Sequence, residues 1–234
     1  MATIDEIELD RLAFGIRYDP HFRVEDRLGE IVDSVLAIDR QDVSRYPQIG
    51  YGAGSRQLSN DATSETLTFT RSDTIYDNKK AAFHVADIQK LASEFFIDVW
   101  GSVLKHANPA ASRYGCLVGF TLPTNWRPIA ALLGEEEKDS AEFDLRFAKR
   151  LAVESAMVKA NISDFRMVIF QVSCRGRSCR GWIDFQHHFL PALGNDKSRK
   201  ENPFPQFASQ AADFFRGQGW DFLEERLQQI SKAA

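Results

Sequence analysis

The sequence has few cysteines and no long apolar segment among its 234 residues. Its three cysteines, Cys116, Cys174 and Cys179, are too few for the disulfide framework of a small secreted protein. No window approaches the ~18 consecutive apolar residues that a membrane helix needs. The acidic N-terminal residues lack the profile of a signal peptide. We therefore expect a cytoplasmic protein without a membrane partner.

An excess of positive charge is also absent, because the formal net charge is −4. A chain-wide nucleic-acid footprint would normally be basic, so this composition argues against it. The sequence contains no Gly-x-Ser-x-Gly, no His-Glu-x-x-His and no paired-carboxylate metal motif. The glycine-rich stretch Gly50–Ser55 lacks the Lys-Ser/Thr ending of a nucleotide loop. We expect no cofactor. An enzyme with a site beneath residues 40–65 stays an open alternative, but no residue stands out as its nucleophile or base.

The sequence is rich enough in apolar residues, at 44%, to build one large domain or two small ones packed together. In the first half, alternating and helical spacings predict three strand regions and two helices. A long polar loop is predicted over residues 40–65. The predicted elements are a strand at Leu12–Tyr18, a helix at Val24–Ile38, a meander within 67–85, a helix over 88–103 and a strand at Tyr114–Leu122.

The second half repeats much of this order. Residues 143–147 predict a strand, although an early helix is nearly as plausible, and a helical segment follows from Arg150. A hairpin over 167–188 and two C-terminal helices complete it. In both halves a Phe pair precedes a Trp by about a turn, at Phe95-Phe96 and Trp100 and again at Phe214-Phe215 and Trp220. A duplicated β-α-β-β-α unit explains this order, and chance pairing of common aromatics explains it too.

We therefore predict an α+β fold, with a mixed or antiparallel sheet and helices packed on it. The chain forms a single domain in this interpretation. If the order reflects duplication, two pseudo-repeats span residues 1–123 and 141–234, and an irregular segment, 124–140, joins them.

This layout resembles that of a sporadically distributed group of uncharacterised bacterial proteins of similar length. The shared features are an acidic first helix, a short meander, a strand ending near Phe120-Thr-Leu, a late hairpin with Trp182-Ile-Asp-Phe185 and a closing helix with an aromatic pair. The likeness spans most of the chain. It departs at Val118-Gly-Phe-Thr121, where an Arg-Tyr-Ile-Asn-like strand end is expected. Since the group has no established activity, the resemblance implies the fold class and transfers no site residue.

The 167–188 hairpin contains four potential zinc ligands, Cys174, Cys179, His187 and His188, in the order Cys-x4-Cys-x7-His-His. Structural zinc motifs usually space their cysteines more tightly. Strand alternation places Cys174 opposite Cys179 on a core face together with His187, while His188 points away. Core cysteines are therefore the favoured interpretation, and zinc and a redox pair are the alternatives.

The same hairpin carries three arginines and a tryptophan, Arg175, Arg177, Arg180 and Trp182. Guanidinium groups bind phosphates and a tryptophan can stack on a base, so a nucleic-acid-binding protein, perhaps associated with nuclease activity, is the alternative function. A solvated turn, or arginines that pair with the acidic N-terminal segment, is the simpler explanation.

The leading prediction concerns the aromatic helices, which carry more large rings than one narrow helix face buries. A large exposed apolar patch is costly, so a protein interface is its natural partner. We predict a non-catalytic cytoplasmic interaction protein that self-associates, as a homodimer or larger oligomer, through Phe96, Trp100, Phe215 and Trp220.

Overall fold

The computed structural model describes most of the N-terminal half and the strands of the C-terminal half. The described residues are 8–38, 45–79, 85–121, 142–152, 164–175, 178–193, 221 and 225. Within them, nine strands form a single sheet in the order β2-β3-β4-β5-β1-β6-β9-β8-β7, and every pair of neighbours is antiparallel. The strands are β1 Glu8–Tyr18, β2 Gln48–Gly52, β3 Ser55–Asn60, β4 Glu65–Thr70, β5 Asp73–Asn78, β6 Ala111–Thr121, β7 Glu142–Ala152, β8 Phe165–Arg175 and β9 Ser178–Leu193.

The helices of the described part are short. They are α1 Phe22–Asp26, α2 Leu28–Ile38, α3 Val85–Ser93 and α4 Trp100–His106, with a π-helical segment at Glu94–Val99 between the last two. In α2 the buried residues are Leu28, Ile31, Val32 and Val35, as the helical spacing predicted.

The predicted α+β class is wrong, because antiparallel sheet dominates the described residues and the fold is closer to all-β. Two local errors explain the difference. The segment 40–65, predicted as a loop, contains the hairpin β2–β3, whose turn places Gly54 at φ +67°. The helical segment predicted from Arg150 begins inside β7, which extends to Ala152, and its remainder lies outside the described residues. Both stretches are polar on one or both faces, so their apolar pattern was too weak to indicate strands.

Alternate side chains of strand β1 point to the two faces of the sheet. Leu12, Phe14 and Ile16 are buried on one side, which we call the core face. The Phe14 ring lies 5.9 Å from the Phe95 ring and 5.8 Å from the Phe96 ring, so the π-helical segment packs over this face. The alternate residues of β1 lie on the other side, which we call the open face.

The two predicted pseudo-repeats stay a prediction, since much of residues 141–234 lies outside the described residues. The described pairings do differ between the halves. Strand β1 pairs with β5, the strand that precedes the helix, whereas β7 pairs with β8, the first strand of the hairpin.

No helix in the described part of the chain is both long enough and apolar enough to span a bilayer. Residence in the cytoplasm stays a prediction.

Replacement of Trp100 by alanine is expected to destabilise the fold by about 3–5 kcal/mol, because it opens a large cavity in the core. The Trp100 side chain is 1% exposed and its ring lies 5.6 Å from that of Tyr18. Urea denaturation measures the loss, and light scattering measures the oligomeric state, which we expect to stay unchanged. Tyr51→Ala is the control, because Tyr51 is 75% exposed and its loss should cost less than about 0.5 kcal/mol. A weakened oligomer without a loss of stability would instead place Trp100 at an interface.

Candidate functional site at the free edge and open face of the sheet

The four aromatic residues predicted as interface contacts fall into two groups. Phe96 and Trp100 are each 1% exposed and pack on the core face, so neither side chain is available to a partner. Phe215 and Trp220 lie outside the described residues. Self-association through Phe215 and Trp220 stays a prediction, and among the described residues it would need a surface other than Phe96 and Trp100.

The residues of the predicted basic hairpin are dispersed. Arg175 is exposed and lies 3.8 Å from Glu142, in an ion pair whose two side chains are mostly solvated. Arg177 lies outside the described residues. Arg180 and Trp182 occupy alternate positions of β9 on the open face, with Arg180 exposed and Trp182 partly buried. Two of the four predicted residues thus share one face of the sheet.

The two hairpin cysteines face each other, as the alternation predicted, and are joined as a disulfide with their Cα atoms 4.1 Å apart. Cys174 and Cys179 are 0% and 5% exposed, so the pair is both a core element and an oxidised couple.

The structure does not support a zinc site at Cys174, Cys179, His187 and His188. Both sulfurs are used by the disulfide, and His187 is buried on the core face while His188 lies on the opposite one. No group of three potential metal ligands occurs among the described residues.

A hydroxyl, an imidazole and a carboxylate meet between α2 and α4, an arrangement that sequence reasoning missed. The Ser34 Oγ lies 2.7 Å from His106 Nε2, and His106 Nδ1 lies 3.2 Å from Glu30 Oε2. This order resembles a hydrolase triad, but Ser34 lies inside α2, where backbone N–H groups are already hydrogen-bonded within the helix. The helix therefore offers no oxyanion donors beside the hydroxyl. We interpret the three residues as a link between two helices.

The open face carries polar side chains in rows that cross the central strands. The registers place Arg17 of β1 opposite both Asp73 of β5 and Arg113 of β6, and Arg113 opposite His188 of β9. The next rows contain small residues. They are Gly15 and Gly115, followed by Ala13 beside Leu117. Small side chains between long ones leave a depression.

This depression is a cleft of about 230 Å³ on the open face. Its lining residues are Arg11, Ala13, Phe14, Gly15, Ile16, Arg17, Asp73, Ile75, Arg113, Gly115, Leu117, Asp184 and Gln186. The sequence signal for it is the alternation Arg11-x-Ala-x-Gly-x-Arg17 in β1, in which two arginines flank two small residues on one strand face.

One wall of the cleft is a hydrogen-bonded network on β9. His188 Nε2 donates to Gln186 Oε1 over 3.0 Å, Arg113 Nη1 donates to the same oxygen over 3.4 Å, and Gln186 Nε2 donates to Asp184. The His188 ring also stacks on Phe165 at 4.4 Å, which orients the imidazole. Asp184 and His188 lie four residues apart, roughly 13 Å along β9, and Gln186 between them bonds to both.

Burial and neighbouring charges perturb the titration of this network. Burial raises the pKa of Asp184, against the lowering effects of the Gln186 hydrogen bond and Arg113. Burial lowers the pKa of His188, and Arg113 lowers it further. Burial and the facing Arg17 lower the pKa of Arg113. Perturbed groups that line a cleft are typical of binding sites as well as of catalytic ones.

Strand β7 is the second candidate surface. Among the described strands it has a neighbour, β8, on one side only, so one row of its backbone N–H and C=O groups has no strand partner there. Asp144, Arg146 and Arg150 are exposed on its open-face side. The opposite edge strand, β2, is fully exposed but contains just five residues, against eleven in β7. An exposed edge of that length is a template for pairing with another strand.

Comparisons with known proteins add no constraint on these two surfaces. The sequence matches no protein-family model, and no curated protein is significantly similar to it.

Substitution of Asp184 by asparagine is expected to stabilise the protein at neutral pH. The pKa of Asp184 is higher in the folded protein than in the unfolded chain, so the folded state holds the proton more tightly. The fold therefore loses stability as the pH rises from the unfolded pKa through the folded pKa. The gain from Asp184→Asn should therefore be largest at pH 7 and disappear below the unfolded pKa of about 3.9. Urea midpoints measured between pH 3 and 8 test this. An asparagine variant that is less stable at neutral pH would show that Arg113 stabilises the ionised carboxylate.

Proposed function

We propose that the protein is a non-catalytic interaction protein that self-associates through the edge of β7 that has no strand neighbour among the described residues. The observation that carries this proposal is the arrangement of charge along that edge. The proposal keeps the self-association that the sequence predicted and replaces its surface, because Phe96 and Trp100 lie in the core.

A two-fold axis perpendicular to the sheet would join two β7 strands antiparallel, with equivalent faces on the same side. When the axis passes through Phe147, Asp144 of one copy lies opposite Arg150 of the other. The symmetry creates this opposite-charge pair twice, and Phe147 meets its own equivalent at the centre. Directly opposed charges of opposite sign stabilise antiparallel pairs.

The same charges distinguish the neighbouring registers. A shift of the axis to residue 148 would place Arg146 opposite Arg150 twice, and like charges directly opposed destabilise a strand pair. A shift to residue 146 would place Arg146 opposite itself, but it would also place Glu142 opposite Arg150 twice. Of the three registers, the proposed one pairs Asp144 with Arg150 and opposes no like charges.

Both charged side chains contact the neighbouring strand β8 within one copy. Asp144 accepts a hydrogen bond from the Ser173 hydroxyl, and the Arg150 guanidinium carbon lies 3.9 Å above the Phe165 ring. Pairing across the edge therefore requires both side chains to turn from β8 toward the second copy, and the new ion pairs must offset the loss of these contacts.

Reversal of either charge is expected to weaken the dimer about tenfold or more, because each change converts two attractive pairs into two repulsive ones. The single variants are Asp144→Arg and Arg150→Asp, and sedimentation velocity over a concentration series measures the dissociation constant. The double variant restores both pairs with reversed polarity, so we expect it to recover most of the affinity.

Thermal melts of all three variants provide the control, since both residues also have contacts within their own chain. Failure of the double variant to recover affinity, with the fold intact, would contradict the proposed register. A wild-type protein that stays monomeric at high concentration would contradict self-association itself.

A further inference from the structure

Arg113 is a half-buried cation that forms no direct ion pair in the described part of the chain, although Asp184 and Asp73 act on it at longer range. Its side-chain hydrogen bond goes to the neutral Gln186, over 3.4 Å. By contrast, Arg11 and Arg17 on the same face pair with Asp77 at 2.8 Å and with Asp73 at 2.9 Å. Buried charges in proteins are normally paired. An unpaired guanidinium at the edge of a cleft is therefore a place for an anion.

The charges around Arg113 also favour an anion at this position. Arg17 and Arg113 are direct neighbours across the β1–β6 pair, an arrangement of like charges that costs stability. His188 is the next residue of the row, and the carboxylate of Asp73 is bonded to Arg17 at the far end. Two guanidinium groups thus stand side by side, and the carboxylates of Asp73 and Asp184 offset their charge without a direct ion pair to Arg113. A bound oxyanion would relieve this repulsion.

The cleft beside these cations is larger than a simple anion requires. Its floor is formed by Gly15 and Gly115, which expose backbone where other residues would place side chains. Asp184 and Gln186 line the same cleft along β9 and supply hydrogen-bond acceptors, with Gln186 beside Arg113 and Asp184 beyond it. Acceptors beyond a phosphate-sized cationic end are suited to hydroxyl groups.

We propose that the open-face cleft binds a small phosphorylated metabolite that carries hydroxyl groups, with its phosphate held by Arg17 and Arg113 and its hydroxyls directed at Asp184 and Gln186. Guanidinium forks bind phosphate oxygens in a bidentate manner, which favours phosphate over a halide. This site does not involve the β7 edge, so its test is independent of self-association.

Ribose 5-phosphate is the probe, and inorganic phosphate and ribose are the two partial ligands. Isothermal titration calorimetry should show binding of ribose 5-phosphate, weaker binding of phosphate and little binding of ribose. Arg113→Gln should weaken binding about tenfold to a hundredfold, since a hydrogen-bonded charge pair is lost. Arg180→Gln is the matched control. It removes the same charge from an exposed position on the same face of the sheet, but Arg180 does not line the cleft, so the affinity should stay unchanged.

Gly15→Val tests the shape of the cleft while it leaves both arginines in place. A Cβ atom at Gly15 would meet just the Ile75 side chain, at 4.0 Å, so the fold has room for it. Valine is also favoured in strands. The variant should keep the wild-type melting temperature and lose binding of ribose 5-phosphate, because its side chain fills the floor.

Three outcomes would overturn the proposal. Equal losses in Arg113→Gln and Arg180→Gln would show diffuse electrostatic attraction. Unchanged binding in a folded Gly15→Val variant would place the ligand elsewhere. Tighter binding of a short single-stranded oligonucleotide, with a steep dependence on salt, would favour nucleic-acid binding, in which Arg180 and Trp182 extend the same face.

Discussion

The two-residue repeat of the central strand β1 is the constraint on which the rest of the structure depends. Strand β1 pairs with β5 on one side and β6 on the other, so its register decides which residues of both neighbours lie on each face. Leu12, Phe14 and Ile16 anchor the core face, and the residues between them must lie on the open face. A shift of one residue would bury the arginines of β1 and expose its apolar side chains.

The open face is consequently polar without being uniform. Large side chains surround a centre in which β1 and β6 have only small ones, and this contrast in size creates the cleft. Arg113, Asp184 and His188 lie around the same centre. Burial shifts the pKa of each in the direction that favours its uncharged form. A low-dielectric floor strengthens any interaction made there with a charged ligand. Shape and electrostatics therefore coincide at one position of the sheet.

Among the described strands, β2 and β7 lie at the two edges of the sheet, and the charged residues of β7 determine how a second copy could pair with the longer edge. Asp144 and Arg150 favour one register of a second copy, in which no like charges are opposed. The edge and the cleft lie on different strands, so ligand binding and self-association need not compete. Arg150, which stacks on Phe165 beside His188, is the one contact that connects them.

Residue pattern alone determined the local structure wherever one face of an element is apolar. The buried face of α2 and the pairing of Cys174 with Cys179 were predictable, because spacing along one segment decides which side chains share a face. The β2–β3 hairpin and the strand at the end of β7 were missed, since neither has a strong apolar pattern. Which strands become neighbours is set by long-range pairing and core packing, and local spacing does not encode it. Only the tertiary structure brought Arg17, Arg113 and His188 into one row, left β7 at the edge and placed Phe96 and Trp100 in the core.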